Sequence, residues 1–169
     1  MADRDTYRYC PRCGSALGPR HDGERERLSC AGEDCGFVHY DNPTPVVAAL
    51  VEHDGEVLLV RNQGWPESWF GLVSGFLERG EDPAAGALRE VAEELGLVGE
   101  VVALIGVYGF EARNELIVAY HVRAAGTVSL SHEIAAVKRV APERLRPWPF
   151  GTGRAVADWL SRRDSGSAP

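Results

Sequence analysis

Long apolar runs are missing from this 169-residue chain. No stretch approaches the ~18 consecutive apolar residues of a membrane-spanning helix. The first nine residues, Met1 to Tyr9, are polar and charged and lack the apolar centre of a secretory signal. Those absences set the expectation of a cytosolic protein, in a compartment that keeps thiols reduced. Basic charge is also short. Eighteen Lys and Arg stand against 25 Asp and Glu, for a net charge of −7 and a pI near 5.2. Sequence-independent nucleic-acid binding rests on cations that neutralise phosphates, so this balance argues against it. It also means that an anionic phosphate ligand would need bridging cations. No internal repeat is visible. A hydrophobic fraction of 44% suffices for a real core.

What is present divides in two. Residues 1–42 hold all four cysteines and little apolar periodicity, so they build little core alone. Asn42-Pro43-Thr44-Pro45 marks an expected boundary, since the prolines favour an extended linker. The expected units are 1–42, 43–164 and a frayed tail at 165–169.

Cys10-Pro11-Arg12-Cys13 and Cys30…Cys35 form two close pairs. Four thiolates on two facing turns suit a tetrahedral zinc ion, closed and therefore structural. Gly14 and Gly36 follow the second cysteine of each pair and let the backbone turn around the metal. Disulfides or free thiols are the competing readings, and a reducing compartment disfavours the first. His21 and His39 read as bystanders.

From Val46 the pattern turns to strands. Val46–Glu52 is an apolar run, Asp54-Gly55 a hairpin signal, and Glu56–Arg61 the returning strand. Trp69–Gly75 reads as a short strand with Trp69 in the core. Val101–Tyr108, Leu116–Arg123 and Val137–Val140 follow, with a helix over Thr152–Arg162. Helices interrupting a set of strands predict an α/β sandwich.

The clearest helix is Pro83–Leu95. Asp82 is its expected N-cap, Pro83 sits at N1 and Gly96 at C′. Leu88, Val91, Ala92 and Leu95 form its apolar stripe. Glu90, Glu93 and Glu94, at i, i+3 and i+4, share a face. Three neighbouring carboxylates either form a solvated surface or hold a hard cation such as Mg²⁺ or Mn²⁺. Gly86 lies one turn earlier, where a missing side chain would leave room for a ligand.

The wider spacing decides between those readings. Gly75, five residues, Glu81, seven residues, then Arg89-Glu90-Val91-Ala92-Glu93-Glu94-Leu95-Gly96-Leu97 matches seven fixed letters and two aliphatic positions over 23 residues. This pattern resembles the Nudix hydrolase box, and the likeness extends over roughly residues 46–160. The resemblance implies an α/β/α sandwich with a mixed sheet, preceded here by a small zinc ribbon. It implies that Glu90, Glu93 and Glu94, with the Gly75 carbonyl, hold Mg²⁺ or Mn²⁺, and that Glu81 and Arg89 position the glutamates. Arg89 also reads as a plain salt-bridge partner, and Glu81 as an ordinary loop carboxylate. Glu133 stands where relatives place a further metal carboxylate. The implied reaction is water attack on a nucleoside diphosphate linked to another group, such as NAD(H) or ADP-ribose, giving monophosphates. A nucleotide sensor without turnover is the alternative.

A ribbon directly before such a domain, with Ser74-Gly75-Phe76 entering the box, resembles the NADH pyrophosphatase branch. By that resemblance Phe76 could stack on a base; Trp65, Trp69, Glu111 and Arg113 are further substrate-side candidates, with Trp69 also read as core and the two charges as solvated loop residues. The chain departs from the branch where a Ser-Gln-Pro-Trp-Pro-Phe-Pro stretch is expected: it has Tyr108–Asn114 instead. Trp148-Pro149-Phe150 occurs much later and reads as a coincidence of letters. Capped RNA is compatible with the same chemistry, and pairing into a homodimer is a further expectation from the family.

Overall fold

The computed structural model describes residues 7–165. By its internal contacts the chain forms two compact units, Met1–Pro43 and Thr44–Pro169. The tail expected at 165–169 lies almost wholly outside the described residues; Ser165 is the C-cap of the last helix.

The first unit is a three-stranded antiparallel sheet of β1 (Leu17–His21), β2 (Glu26–Cys30) and β3 (Val38–His39).

The second unit is a six-stranded mixed sheet between two helices. Its strands are β4 (Thr44–His53), β5 (Glu56–Asn62), β6 (Val73–Phe76), β7 (Val98–Phe110), β8 (Glu115–Ala125) and β9 (Ile134–Val140). The order is β7-β8-β4-β5-β9, with β6 also on β4. Strand β4 is the axis of this unit. One edge pairs in parallel with β8 from Thr44 to Glu52. The other edge is shared: Val46–Ala49 bind β6, and Val51–His53 bind β5. The sheet therefore forks at β4, and β6 carries Gly75 out of the fork.

Side chains alternate across a strand, and β4 shows the consequence. Val46, Ala48 and Leu50 enter one core with Ala155, Val156 and Trp159 of α2 (Gly153–Asp164). Val47, Ala49 and Val51 enter the other with Ala87, Val91 and Leu95 of α1 (Pro83–Leu95). A strand covered on both faces is apolar at every position, which is why this run carries no alternation. The β4–β5 turn has Asp54 at φ 53° and Gly55 at φ 79°, the two positive values of a type I′ hairpin.

Helix α1 begins and ends as its sequence dictates. Asp82 accepts hydrogen bonds from the N–H groups of Ala84 and Ala85, and Gly96 closes the helix at φ 67°. Three sequence expectations are corrected. Pro45 belongs to β4 rather than to a linker; it lies next to the strand's start, where a missing N–H is tolerated. The strand expected from Trp69 starts only at Val73, and Trp69 is 52% exposed. Its N–H is used in a turn to the Pro66 carbonyl at 2.9 Å, so it cannot extend the ladder. Gly86 is buried, and a Cβ there would lie 2.9 Å from the Glu81 carboxylate and 3.1 Å from Leu77. The space it leaves is filled by the protein's own side chains, not by a ligand.

Candidate active site

One guanidinium organises the carboxylates. Arg89 donates from Nε to Glu81 Oε1 at 2.8 Å and from Nη2 to Glu81 Oε2 at 3.1 Å. Its Nη1 reaches Glu90 Oε1 at 2.6 Å and Glu93 Oε2 at 2.9 Å, and Nη2 also donates to the Phe76 carbonyl at 3.1 Å. Five N–H donors in a rigid fork suit this task. Glu81 additionally accepts from the Glu78 N–H at 3.0 Å. The Arg89 hydrogen bonds, reinforced by that N–H, hold the Glu81 carboxyl below its usual range. The box loop and the helix are thereby locked together, with Glu90 aimed past Gly75.

The three helix glutamates have different surroundings. Glu93 is 59% exposed, whereas the Glu90 side chain is 12% exposed and Glu94 is buried. Burial raises the Glu90 carboxyl, and Arg89 offsets part of that rise. For Glu94, burial and then the charges of Glu90 and Glu133 push the carboxyl up to about 8, against a Ser74 N–H that lowers it. Glu94 Oε2 is, among the described residues, the one buried side-chain N or O atom without a hydrogen-bond partner.

Glu133 reaches this group through a loop fastened to the end of α1. Ser129 N donates to Leu95 O at 2.8 Å and Ser131 N to Glu94 O at 3.1 Å, while Glu133 O accepts from Gln63 N at 2.7 Å. An orphaned buried carboxylate oxygen, on a group that also feels the charges of Glu90 and Glu133, fits a divalent cation with oxygen ligands. Glu90, Glu94 and Glu133 would hold it.

Beside the carboxylates lies a pocket of about 340 Å³. Ser74 joins the two: its N–H serves Glu94, and the residue lines the pocket. The walls include Trp65, Trp69, Phe110, Trp148 and Phe150, with Arg113 and Glu115 as the charged lining residues. The Trp69 and Phe150 rings are 5.9 Å apart and tilted by 48°.

Of the sequence candidates, Trp65 lines this pocket. Phe76 is 59% exposed and outside the lining, and its carbonyl serves Arg89. Glu111 sits in an exposed 3-10 turn (Glu111–Arg113), also outside it. Trp69 and Arg113, which the sequence also offered as substrate-side residues while favouring a core and a solvated-loop reading, line the pocket too; sequence reasoning missed Phe110 and Glu115, and it set aside Trp148 and Phe150. Trp148 and Phe150, whatever their likeness to the branch's stretch, both line the pocket. Two aromatics around a proline, just before the last helix, were a usable signal.

In the ribbon the four cysteines are free and their Sγ atoms lie within 4.8 Å of one another. Cys10 and Cys35 are 3.6 Å apart, and Cys13 and Cys30 3.4 Å. A zinc tetrahedron with Zn–S near 2.3 Å has edges of about 3.8 Å. Arg12 N and Gly32 N donate to Cys10 and Cys30 sulfurs at 3.4 and 3.3 Å. Ser15, through its hydroxyl and N–H, brings Cys13 down to about 6. At Cys30 the Gly32 N–H works in the same direction, but burial and the neighbouring thiols push it up to about 12. A cation bound by all four would resolve that conflict. His21 and His39 lie outside the cluster; His21 accepts from Gly23 N and His39 packs on Tyr7.

Comparison with known proteins agrees with this geometry. Residues 42–159 match the NUDIX domain, and residues 8–41 match the zinc-ribbon unit described as Nudix N-terminal. Among curated relatives, the NAD-capped RNA hydrolase NudC of Pseudomonas aeruginosa (strain LESB58) is 28% identical over 165 residues, 95% of this chain and 58% of the relative. The protein of the same name from Stutzerimonas stutzeri (strain A1501) is 31% identical over 120 residues, 71% of this chain and 42% of the relative. The chain thus spans about half the length of these relatives. A NUDIX hydrolase crystal structure from Nitrosomonas europaea shares the fold with a TM-score of 0.80 and 24% identity, covering 95% of this chain and 94% of the other.

Proposed function

This chain belongs to the NUDIX domain family and carries that family's N-terminal zinc ribbon, and on that premise we propose that it is a metal-dependent pyrophosphohydrolase of nucleoside-diphosphate-linked substrates such as NAD(H) or ADP-ribose. The observation that carries this reading is the buried, unpartnered oxygen of Glu94, whose carboxyl also feels the charges of Glu90 and Glu133. A lone solvated acidic face would not bury that atom.

Glu90, Glu94 and Glu133, with Glu93 and the Gly75 carbonyl, would hold Mg²⁺ or Mn²⁺. When bound, such a cation neutralises non-bridging phosphate oxygens and makes water more acidic. Arg89 and Glu81 hold the Glu90 carboxylate in place, so no reorganisation is needed as charge develops. A carboxylate of this group takes the proton of the attacking water. Water adds to phosphorus, the P–O anhydride bond breaks, and two monophosphates leave. The aromatic pocket next to Ser74 accepts a base of the substrate. The relatives' activity on NAD-capped RNA makes a capped RNA end a further substrate of the same class. The four cysteines hold structural Zn²⁺, and free thiols suit the cytoplasm. No helix among the described residues is long and apolar enough to cross a membrane. Exposed Val98, Leu104 and Val107 on β7 offer a surface for a homodimer.

The test is hydrolysis of NAD⁺, NADH, ADP-ribose and an NAD-capped RNA with Mg²⁺ or Mn²⁺, for wild type and Glu94→Gln. The variant should lose roughly 10²-fold or more of the turnover, the scale of losing one electrostatic stabiliser. No product from any substrate, or equal rates in both proteins, rejects the proposal. Tight nucleotide binding without product would favour a sensor.

A further inference from the structure

The pocket beside Ser74 has one feature that aromatic stacking does not require. Glu115, the first residue of β8, lines it with a side chain only 11% exposed. It is the only carboxylate in a lining that is otherwise largely aromatic and apolar. Arg113, 63% exposed, meets it through Nε to Oε1 at 3.3 Å. That contact engages one carboxylate oxygen, Oε1. An ionised carboxylate is acceptor-only. A ring that buries its edge against it must present N–H donors, because a carbonyl or a second carboxylate there would be repelled and left unpaired.

We infer that Glu115 is a specificity-determining residue that selects a planar heteroaromatic ring bearing an –NH₂ group, held between the aromatic walls of this pocket. The pocket volume of about 340 Å³ falls within the range of small-molecule sites. The flat walls of Trp69 and Phe150 suit a π-face. Ser74 ties the pocket to Glu94, so a ring bound here places its attached diphosphate toward the carboxylates. This inference rests on the hydrolase reading for its choice of ligand, since a dinucleotide offers two such rings. One carries an aromatic amine, as in adenine, and the other a carboxamide, as in nicotinamide.

The experiment measures binding first, by quenching of pocket tryptophan fluorescence without divalent cation, and then kcat/KM with Mg²⁺. The probes are NAD⁺, its analogue with hypoxanthine in place of adenine, and its analogue with nicotinic acid in place of nicotinamide. Wild type should bind one analogue at least about tenfold more weakly than NAD⁺, and that analogue names the ring Glu115 reads. Glu115→Gln, which both donates and accepts, should cut the discrimination several-fold, while Glu115→Asp retains it. The inference fails if both analogues match NAD⁺ within about twofold, if Glu115→Gln discriminates as wild type does, or if NAD⁺ causes no quench. Hydrolysis without discrimination overturns this inference alone. Discrimination in binding without hydrolysis overturns the hydrolase reading alone.

Discussion

The backbone of Gly75 and the carboxylate of Glu90 share one small space: a Cβ built on Gly75 would overlap Glu90 Cδ, Oε1 and Oε2. The Glu90 carboxylate, the far end of a side chain, is the partner that can yield. Gly75 is fixed in the β4–β6 ladder opposite Val47, and Glu90 is held by Arg89 at 2.6 Å. Gly75→Ala should therefore displace Glu90 rather than unfold the sheet. The expected outcome is a loss of about 10²-fold in kcat, as for a catalytic group misplaced by about 1 Å, with Tm lowered only modestly. Kinetics and thermal unfolding of the same preparation check both halves, and unchanged kcat would contradict the geometry.

The Arg89 cluster makes a second prediction. Arg89→Ala removes the cation shared by Glu81, Glu90 and Glu93. Arg89→Lys keeps the charge but cannot reach three carboxylates and a carbonyl from one point. Both variants should lose more than about tenfold in kcat/KM at fixed metal, with the lysine variant recovering little. Metal titration of activity should also shift to higher concentration in both. Full rescue by lysine would mean that charge alone matters.

The raised Glu94 carboxyl predicts an unusual pH dependence of the metal-free protein. Its folded value, about 8, lies above the ordinary 4.5, so its contribution to stability is complete below about pH 4.5 and is lost as pH rises toward 8. Metal-free wild type should lose on the order of 5 °C in Tm between pH 5 and 8 relative to Glu94→Gln. Mg²⁺ should restore wild type most at the alkaline end, where the site needs no deprotonation to bind it. Scanning calorimetry across this range, with and without Mg²⁺, is the measurement. A flat difference between the two proteins would show that Glu94 is not the group responsible.

The ribbon yields a fourth prediction. The purified chain should hold one zinc ion, measured by elemental analysis, and Cys13→Ser should lose most of it. Chelation should expose the 8–41 segment to protease before the 42–159 segment, because the two segments form separately packed units. Equal zinc content in wild type and variant would remove Cys13 from the site.

How much of this was legible beforehand depended on the range of the interactions. Residues 83–96 spell out their own helix, since a cap, an N1 proline and a C′ glycine act within one turn. The Asp54-Gly55 hairpin and the two cysteine pairs are equally local. The spacing from Gly75 through Glu81 to Glu94 also carries the metal-site chemistry, because a helix puts i, i+3 and i+4 on one face. Periodicity could not say that Glu94 would be buried while Glu93, one residue away, stays exposed. That difference comes from the Ser129–Glu133 loop closing over the end of α1 and from the Ser74 N–H on β6. Nor could it give Gly86 its true neighbour, Glu81, which Arg89 draws in. The pocket is the extreme case. Trp65, Trp69, Phe110, Glu115, Trp148 and Phe150 are scattered over more than half of the chain, and only the forked sheet around β4 brings them together. Local sequence determined the carboxylate helix because each of its signals acts on a neighbour a few residues away. Tertiary structure alone decided the aromatic pocket, because its walls are joined only by strand register and core packing.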